Sequence, residues 1–276
     1  MLTKHCLSVF AAALMTHSAI GQTLRRPAAA LYTGAGAYSI NHTDVFSFTA
    51  HQAALAQLKN PAAAVYAERK FMLQELASYT AVAAVKTKSG NFGLQANYSG
   101  FSSYNETKLG LAYGRKLGNR INAGIQFNYN GIRIAGYGTA SAVTVEAGTI
   151  FHLTEQLSAG IHVNNPVGGK FGNNKEEKLP AVYTIGIGYA ASEKFFISTE
   201  ISKEEDQPVN VNAGLQYRVL SKLMTRVGVA SSASTIYAGV GISFSSFRAD
   251  VTVSYHNLLG LTPGLLLLFD FKNKED

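Results

Sequence analysis

The candidates for acid, base or ligand chemistry are three carboxylates, Glu146, Glu200 and Asp250, and three histidines, His152, His162 and His256. A hydrolase needs a nucleophile beside a base, and a metal centre needs ligands at set spacings. The chain holds no HxH, HExxH or GxSxG run. The carboxylates fall on separate predicted strands, so no spacing pairs them for acid–base work. His152 and His162 fall on opposite-going strands of one predicted hairpin and do not face each other. Gly34-Ala35-Gly36 lacks the strand-to-helix context of a nucleotide fingerprint. The expectation is therefore no enzyme, no metal and no cofactor.

The polar residues instead follow a period of two. In Asn119 to Ile134, Ile121, Ala123, Ile125, Phe127 and Tyr129 alternate with Asn122, Gly124, Gln126, Asn128 and Asn130. One face is apolar and the other carries uncharged amides or glycine, where a water-facing sheet would carry Lys and Glu. That alternation suits a transmembrane antiparallel β-barrel with lipid outside and a wet lumen. Carried along the chain, the phase places Gln126, Asn128, Asn130, Glu146, His162, Glu200, Asn210, Asn212 and Gln216 inside, with Gln95, Asn97, Asn122, Arg218 and Asp250. Such groups line a pore or hold a plug. Gly186, Gly188, Gly239 and Gly241 leave inward space for one or the other.

Composition agrees. Only 15% of residues are charged, while glycine numbers 26 and tyrosine and phenylalanine 14 and 15. The first 21 residues read as a secretory signal: Lys4, an apolar run from Leu7 to Met15, and Ala19-Ile20-Gly21 before Gln22. Cys6, the one cysteine, falls inside it, so the exported chain is expected without thiol or disulfide. After the signal no run is apolar and long enough for a membrane-spanning helix. The formal charge of +7 would permit nucleic acid as a partner, but an exported chain does not meet it. The predicted location is the outer membrane of a Gram-negative bacterium, with its lipid as partner.

From Ala62 onward, strand signals and turn residues alternate fourteen times. The expected divisions are a signal peptide at 1–21, a hatch or plug at 22–61, a barrel of about 14 strands at 62–273 and a periplasmic tail at 274–276. Asp44 to Leu58 reads as a short helix capped by Asp44. Short periplasmic turns are expected around Lys88 to Gly90, Gly118-Asn119, Thr154 to Gln156, Ser192-Glu193, Ser221-Lys222 and Ser245-Ser246. Longer outer loops are expected at Gly131 to Ser141, Asn164 to Leu179 and Lys203 to Pro208. With that orientation, Phe92, Tyr113, Phe151, Tyr189, Phe195, Tyr217, Phe244, Phe269 and Phe271 form one aromatic girdle, and Tyr98, Tyr129, Tyr183 and Tyr255 the other. Arg115, Lys116, Arg120, Arg218, Lys222 and Arg248 gather at the periplasmic rim, with Lys272 and Lys274 beyond. Such a rim anchors to lipid headgroups or docks an acidic periplasmic partner.

The N-terminal motifs carry a family resemblance. Gly34-Ala35-Gly36-Ala37, then Asp44 to Ser47, then Ala53 to Ala56, resemble the opening of FadL-like outer-membrane barrels, including the PorV/PorQ-type proteins of type IX secretion. Tyr255 to Pro263 resembles the last external loop of such proteins. His51-Gln52 stands where that family has Asn-Pro. The resemblance implies a fourteen-stranded barrel with an N-terminal hatch. It also implies passage of small hydrophobic compounds, or else a non-transporting role in a secretion or envelope assembly.

Overall fold

The structure, a computed structural model, describes residues 35–171, 177–231 and 235–271. The expected signal, residues 22–34 of the expected hatch, Lys272, Lys274 and the expected tail lie outside the described residues. The first half of the chain supplies β1 (Ala62–Arg69), β2 (Ala77–Thr87), β3 (Gly90–Phe101), β4 (Tyr104–Leu117), β5 (Ile121–Ile134), β6 (Gly138–His152) and β7 (Leu157–Asn164). A two-stranded hairpin, β8 (Lys170–Phe171) with β9 (Glu177–Lys178), interrupts the series. Then come β10 (Val182–Ala190), β11 (Phe195–Glu204), β12 (Asn210–Arg218), β13 (Leu223–Ala230), β14 (Thr235–Phe244), β15 (Phe247–His256) and β16 (Gly260–Asp270).

Each long strand pairs antiparallel with its neighbours, β7 pairs with β10, and β1 closes on β16 from Ala62↔Asp270 to Glu68↔Gly264. The result is the expected closed barrel of fourteen antiparallel strands. Closure leaves no edge strand, which a hydrocarbon surround requires because it offers backbone groups no partner.

The alternation seen in the sequence is the sorting of side chains between the two faces. Outward residues such as Leu94, Leu111, Ile185, Ile187 and Val251 stay exposed while inward neighbours such as Gln95, Gly186 and Asp250 are shielded. Phe92, Phe151, Tyr189, Tyr217, Phe244 and Phe269 are exposed at the end with the short turns, and Tyr98, Tyr129, Tyr183 and Tyr255 at the other. Ile185, at mid-strand in β10 and 65% exposed, tests this directly. Ile185→Arg is expected to destabilise the barrel in phospholipid by about 2–4 kcal/mol, read from reversible guanidinium unfolding in vesicles.

Two local expectations are corrected. Gly131 to Ser141 is not an open loop: β5 and β6 stay paired through Gly131↔Ser141 to Ile134↔Gly138, and the chain reverses over Ala135 to Tyr137. Gly136 and Gly138 take positive φ values of 80° and 109°, which let the ribbon turn tightly and so prolong the pairing. Asp44 to Leu58 is not one helix. It forms two 3-10 turns, Val45–Thr49 and Gln52–Gln57, separated where His51 takes an extended conformation, with φ −151° and ψ 110°. Asp44 does cap the first, its side chain accepting from the Phe46 and Ser47 amides at 3.0 and 3.1 Å. A further 3-10 turn, Ala35–Tyr38, precedes them.

Residues 36–57 run inside the barrel. Phe46, Phe48 and Leu55 are almost fully buried and share a core with Tyr66, Val82, Leu266 and Leu268 of the wall. The wall is bare where this segment lies. A Cβ added at Gly114 or Gly124 would overlap the backbone at Gln52 to Ala56, and one at Gly160 or Gly186 would overlap the Tyr38 ring. Gly186 and Gly188, expected to leave inward space, leave it to Tyr38. At the opposite end, Asn165 donates to the Leu179 carbonyl at 2.6 Å, and Phe171 and Leu179 pack on Ala142. The described ends of the connection between β7 and β10 thereby fold against the wall.

Candidate functional site

An amide relay joins the inner face to the N-terminal segment. Asn97 donates to Thr80 at 2.6 Å and Gln95 to Asn97 at 2.7 Å. Gln126 donates to Gln95 at 3.2 Å and to Asn128 at 2.6 Å, and Asn128 donates to Glu146 Oε1 at 2.8 Å. Glu146 is the hub. Lys108 Nζ reaches its Oε1 at 2.7 Å, His162 Nε2 lies 3.4 Å from its Oε2, and Gln52 of the inner segment donates to that same oxygen. One carboxylate thus ties wall strands to the segment they enclose. Unpaired burial of such a charge would cost several kcal/mol, which accounts for the density of donors.

His51 and Tyr38 make the remaining attachments on this side. His51 Nδ1 accepts the Ala53 amide at 3.3 Å, so its Nε2 carries the proton toward the Ile161 carbonyl at 3.1 Å. Tyr38 donates to Glu200 at 2.9 Å, and Asn212 donates to the other oxygen of Glu200 at 3.4 Å. Asn130 donates to Thr144 at 3.0 Å, and Asn210 to Ser202 at 3.4 Å. His152, bonded to Asn122 and Ser158, and His162 are both buried. Among the described residues no group of three His, Cys, Asp or Glu is arranged to hold a metal.

On the far side of the barrel the segment is held by charge. Asp44 Oδ2 meets Arg248 at 2.7 Å and Arg226 at 3.5 Å, while Asp250 meets Arg248 at 3.0 Å and Arg226 at 3.9 Å. Arg226 also donates to Gln216 at 2.6 Å, and Gln216 bonds His42 Nδ1 at 2.8 Å. His42 stacks on Phe196. Arg248 sits at the basic end of the wall but turns inward to Asp44, whereas Arg115, Lys116, Arg120 and Lys222 are exposed and Arg218 is half-buried.

Burial works against a charged Asp44, but Arg248 and Arg226, with bonds from Arg248 and Ser47, outweigh it and hold the carboxyl below its ordinary value. Burial likewise pushes the His42 imidazole down, and Arg218 and Arg226 add to that against a raising bond to the Ser192 carbonyl. The depressed Asp44 contributes its full attachment above the ordinary carboxylate value of about 4, and loses it as pH falls through its own lower value. Neutral His42 adds an earlier loss, beginning below about pH 6.5, because the undocked imidazole takes up a proton first. Acidification from neutrality is therefore expected to loosen the segment in two stages, read as rising single-channel current in planar bilayers. Asp44→Asn should remove the second stage.

Tyr38, His42, Gln52, Lys108 and Arg226 were missed as site residues by sequence reasoning. Lys108 and Arg226 share the inward phase of their strands and were legible there. The others act through loop geometry, which periodicity does not encode.

A closed, fourteen-stranded antiparallel barrel with an apolar exterior and a polar interior has the fold of an outer-membrane β-barrel. Within that class the fold is FadL-like. The monoaromatic hydrocarbon channel CymD is similar at 12% identity with a TM-score of 0.65, over 87% of this chain and 97% of that one. A Pseudomonas aeruginosa FadL homologue is similar at 12% and 0.61, over 87% and 98%. The Pseudomonas putida toluene transporter TodX is similar at 10% and 0.61, over 85% and 96%. No protein-family model matches the chain, and no curated protein matches it in sequence.

Proposed function

We propose that the protein is an outer-membrane channel for small hydrophobic compounds, with the N-terminal segment as the plug that closes its lumen. The observation that carries this reading is the inner segment itself: it fills glycine-lined space and is held by polar bonds, which a conformational change can exchange for water. Side chains at the long-loop end favour hydrophobic cargo. Met72, Leu73 and Leu76 after β1 and Leu258 and Leu259 before β16 are exposed on adjacent parts of the wall, since β1 pairs with β16. The FadL-like fold supports the same reading, because the similar channels include monoaromatic hydrocarbon and toluene transporters.

The exposed basic residues Arg115, Lys116 and Arg120 are read as contacts to the lipid headgroups at the short-turn end. The deciding experiment measures toluene entry into proteoliposomes that enclose a toluene-oxidising reporter. Uptake above that of protein-free vesicles, lost when a disulfide fixes the segment to the wall, is the expected result. Equal uptake with and without protein, together with recovery of the protein in a stable envelope complex, would favour the non-transporting role.

A further inference from the structure

Between the inner segment and β12 to β16, at the short-turn end, lies a cavity of about 440 Å³. It is lined on one side by residues of the 40–60 stretch and on the other by the wall. Its deep charges are spoken for, because Arg226 and Arg248 face Asp44 and Asp250. Its mouth is not balanced. Lys59, Arg218 and Lys222 line it, and among the described residues none of the three has an ion pair, while Asp270 is the one further carboxylate in the lining.

A second feature points the same way. Gln57 also lines the cavity; its Oε1 accepts from Thr43 at 3.3 Å, and its Nε2 is buried with no hydrogen-bond partner. An orphaned buried donor costs about 1–3 kcal/mol unless an acceptor meets it. Surplus cations and an unmet amide donor are jointly answered by an anion. Leu58, Met224, Phe247 and Leu268 supply an apolar flank in the same lining.

We propose that this cavity binds a small organic carboxylate, its acid group held at the Gln57, Arg218 and Lys222 end and its apolar body against the flank. The ligand comes from the aqueous phase, because the cavity lies inside the barrel wall and is walled on one side by the inner segment. The site is separate from hydrocarbon passage, and its test reads binding and not flux.

The test is calorimetric titration of the full chain, in zwitterionic phosphatidylcholine nanodiscs, with benzoate and with its neutral analogue benzyl alcohol. Saturable benzoate binding is expected, with none for benzyl alcohol, and a loss of about tenfold in affinity in the double variant Arg218→Gln, Lys222→Gln. Gln57→Glu keeps the shape and the Thr43 bond but replaces the donor with a like charge, and should also weaken benzoate. Equal binding of the two compounds, or unchanged affinity in both variants when they migrate as folded barrels, would overturn the proposal. So would loss of benzoate binding on adding phosphatidylglycerol to the nanodiscs, which would assign the cavity to a lipid headgroup.

Discussion

Replacing Gly124 and Gly186 together by leucine is expected to open the barrel. At Gly124 a side chain must occupy the place of the Gln52 and Ala53 backbone, and at Gly186 that of the Tyr38 ring. Neither neighbour can yield locally: the first is main chain and the second is a fully buried aromatic bonded to Glu200. The wall cannot yield either, since both strands are hydrogen-bonded on both sides in a closed ring. The segment must leave. Fourteen strands enclose a lumen between those of filled small barrels and open porins, so single-channel conductance should rise on the order of tenfold. A variant that folds and stays closed would show that the segment re-seats without Tyr38 and Gln52.

The second large effect is expected at Glu146. Glu146→Leu leaves Lys108 without its ion-pair partner and removes the acceptor of Gln52 and Asn128. Breaking a buried pair by deleting one partner costs about 3–5 kcal/mol, and because Lys108 is partly exposed the lower end applies. Glu146→Gln keeps an acceptor and should cost about 1–2 kcal/mol. Urea or guanidinium unfolding in lipid measures both. The double variant Glu146→Leu, Lys108→Met should recover much of the loss, since it removes the stranded charge as well. Full additivity of the two single losses would mean the pair does not act as a unit.

The wall was readable because its rule is local. A side chain on a strand faces in or out by counting, so Gln126, Asn128 and Glu146 could be placed inside from their neighbours alone. The contents of the lumen obey no such count. Asp44 was legible as a helix cap from its residue type, but its second role, accepting Arg226 and Arg248, joins residues about two hundred positions apart. Glycine was half legible: the bare inward positions were visible, yet which ones meet Tyr38 and which meet Ala53 depends on how the inner segment bends. His51 and Gln52 show the limit well. Nothing in their spacing announces a contact, and in the fold they bond Ile161 and Glu146 of the wall.

The pairing of β1 with β16 also limits how the contents of the barrel can move. The seam joins the first barrel strand to the last, so it is the pairing with the largest loop to close, and its last strand is the last to be synthesised. Residues 36–57 lie immediately before β1, and the space they occupy is enclosed once the seam has formed. Bulky rings such as Tyr38 and Phe46 cannot thread a sealed hydrogen-bonded wall. Once the seam has formed, the segment can enter or leave only through an end of the barrel, so the closed ring confines all movement of its contents to the barrel axis.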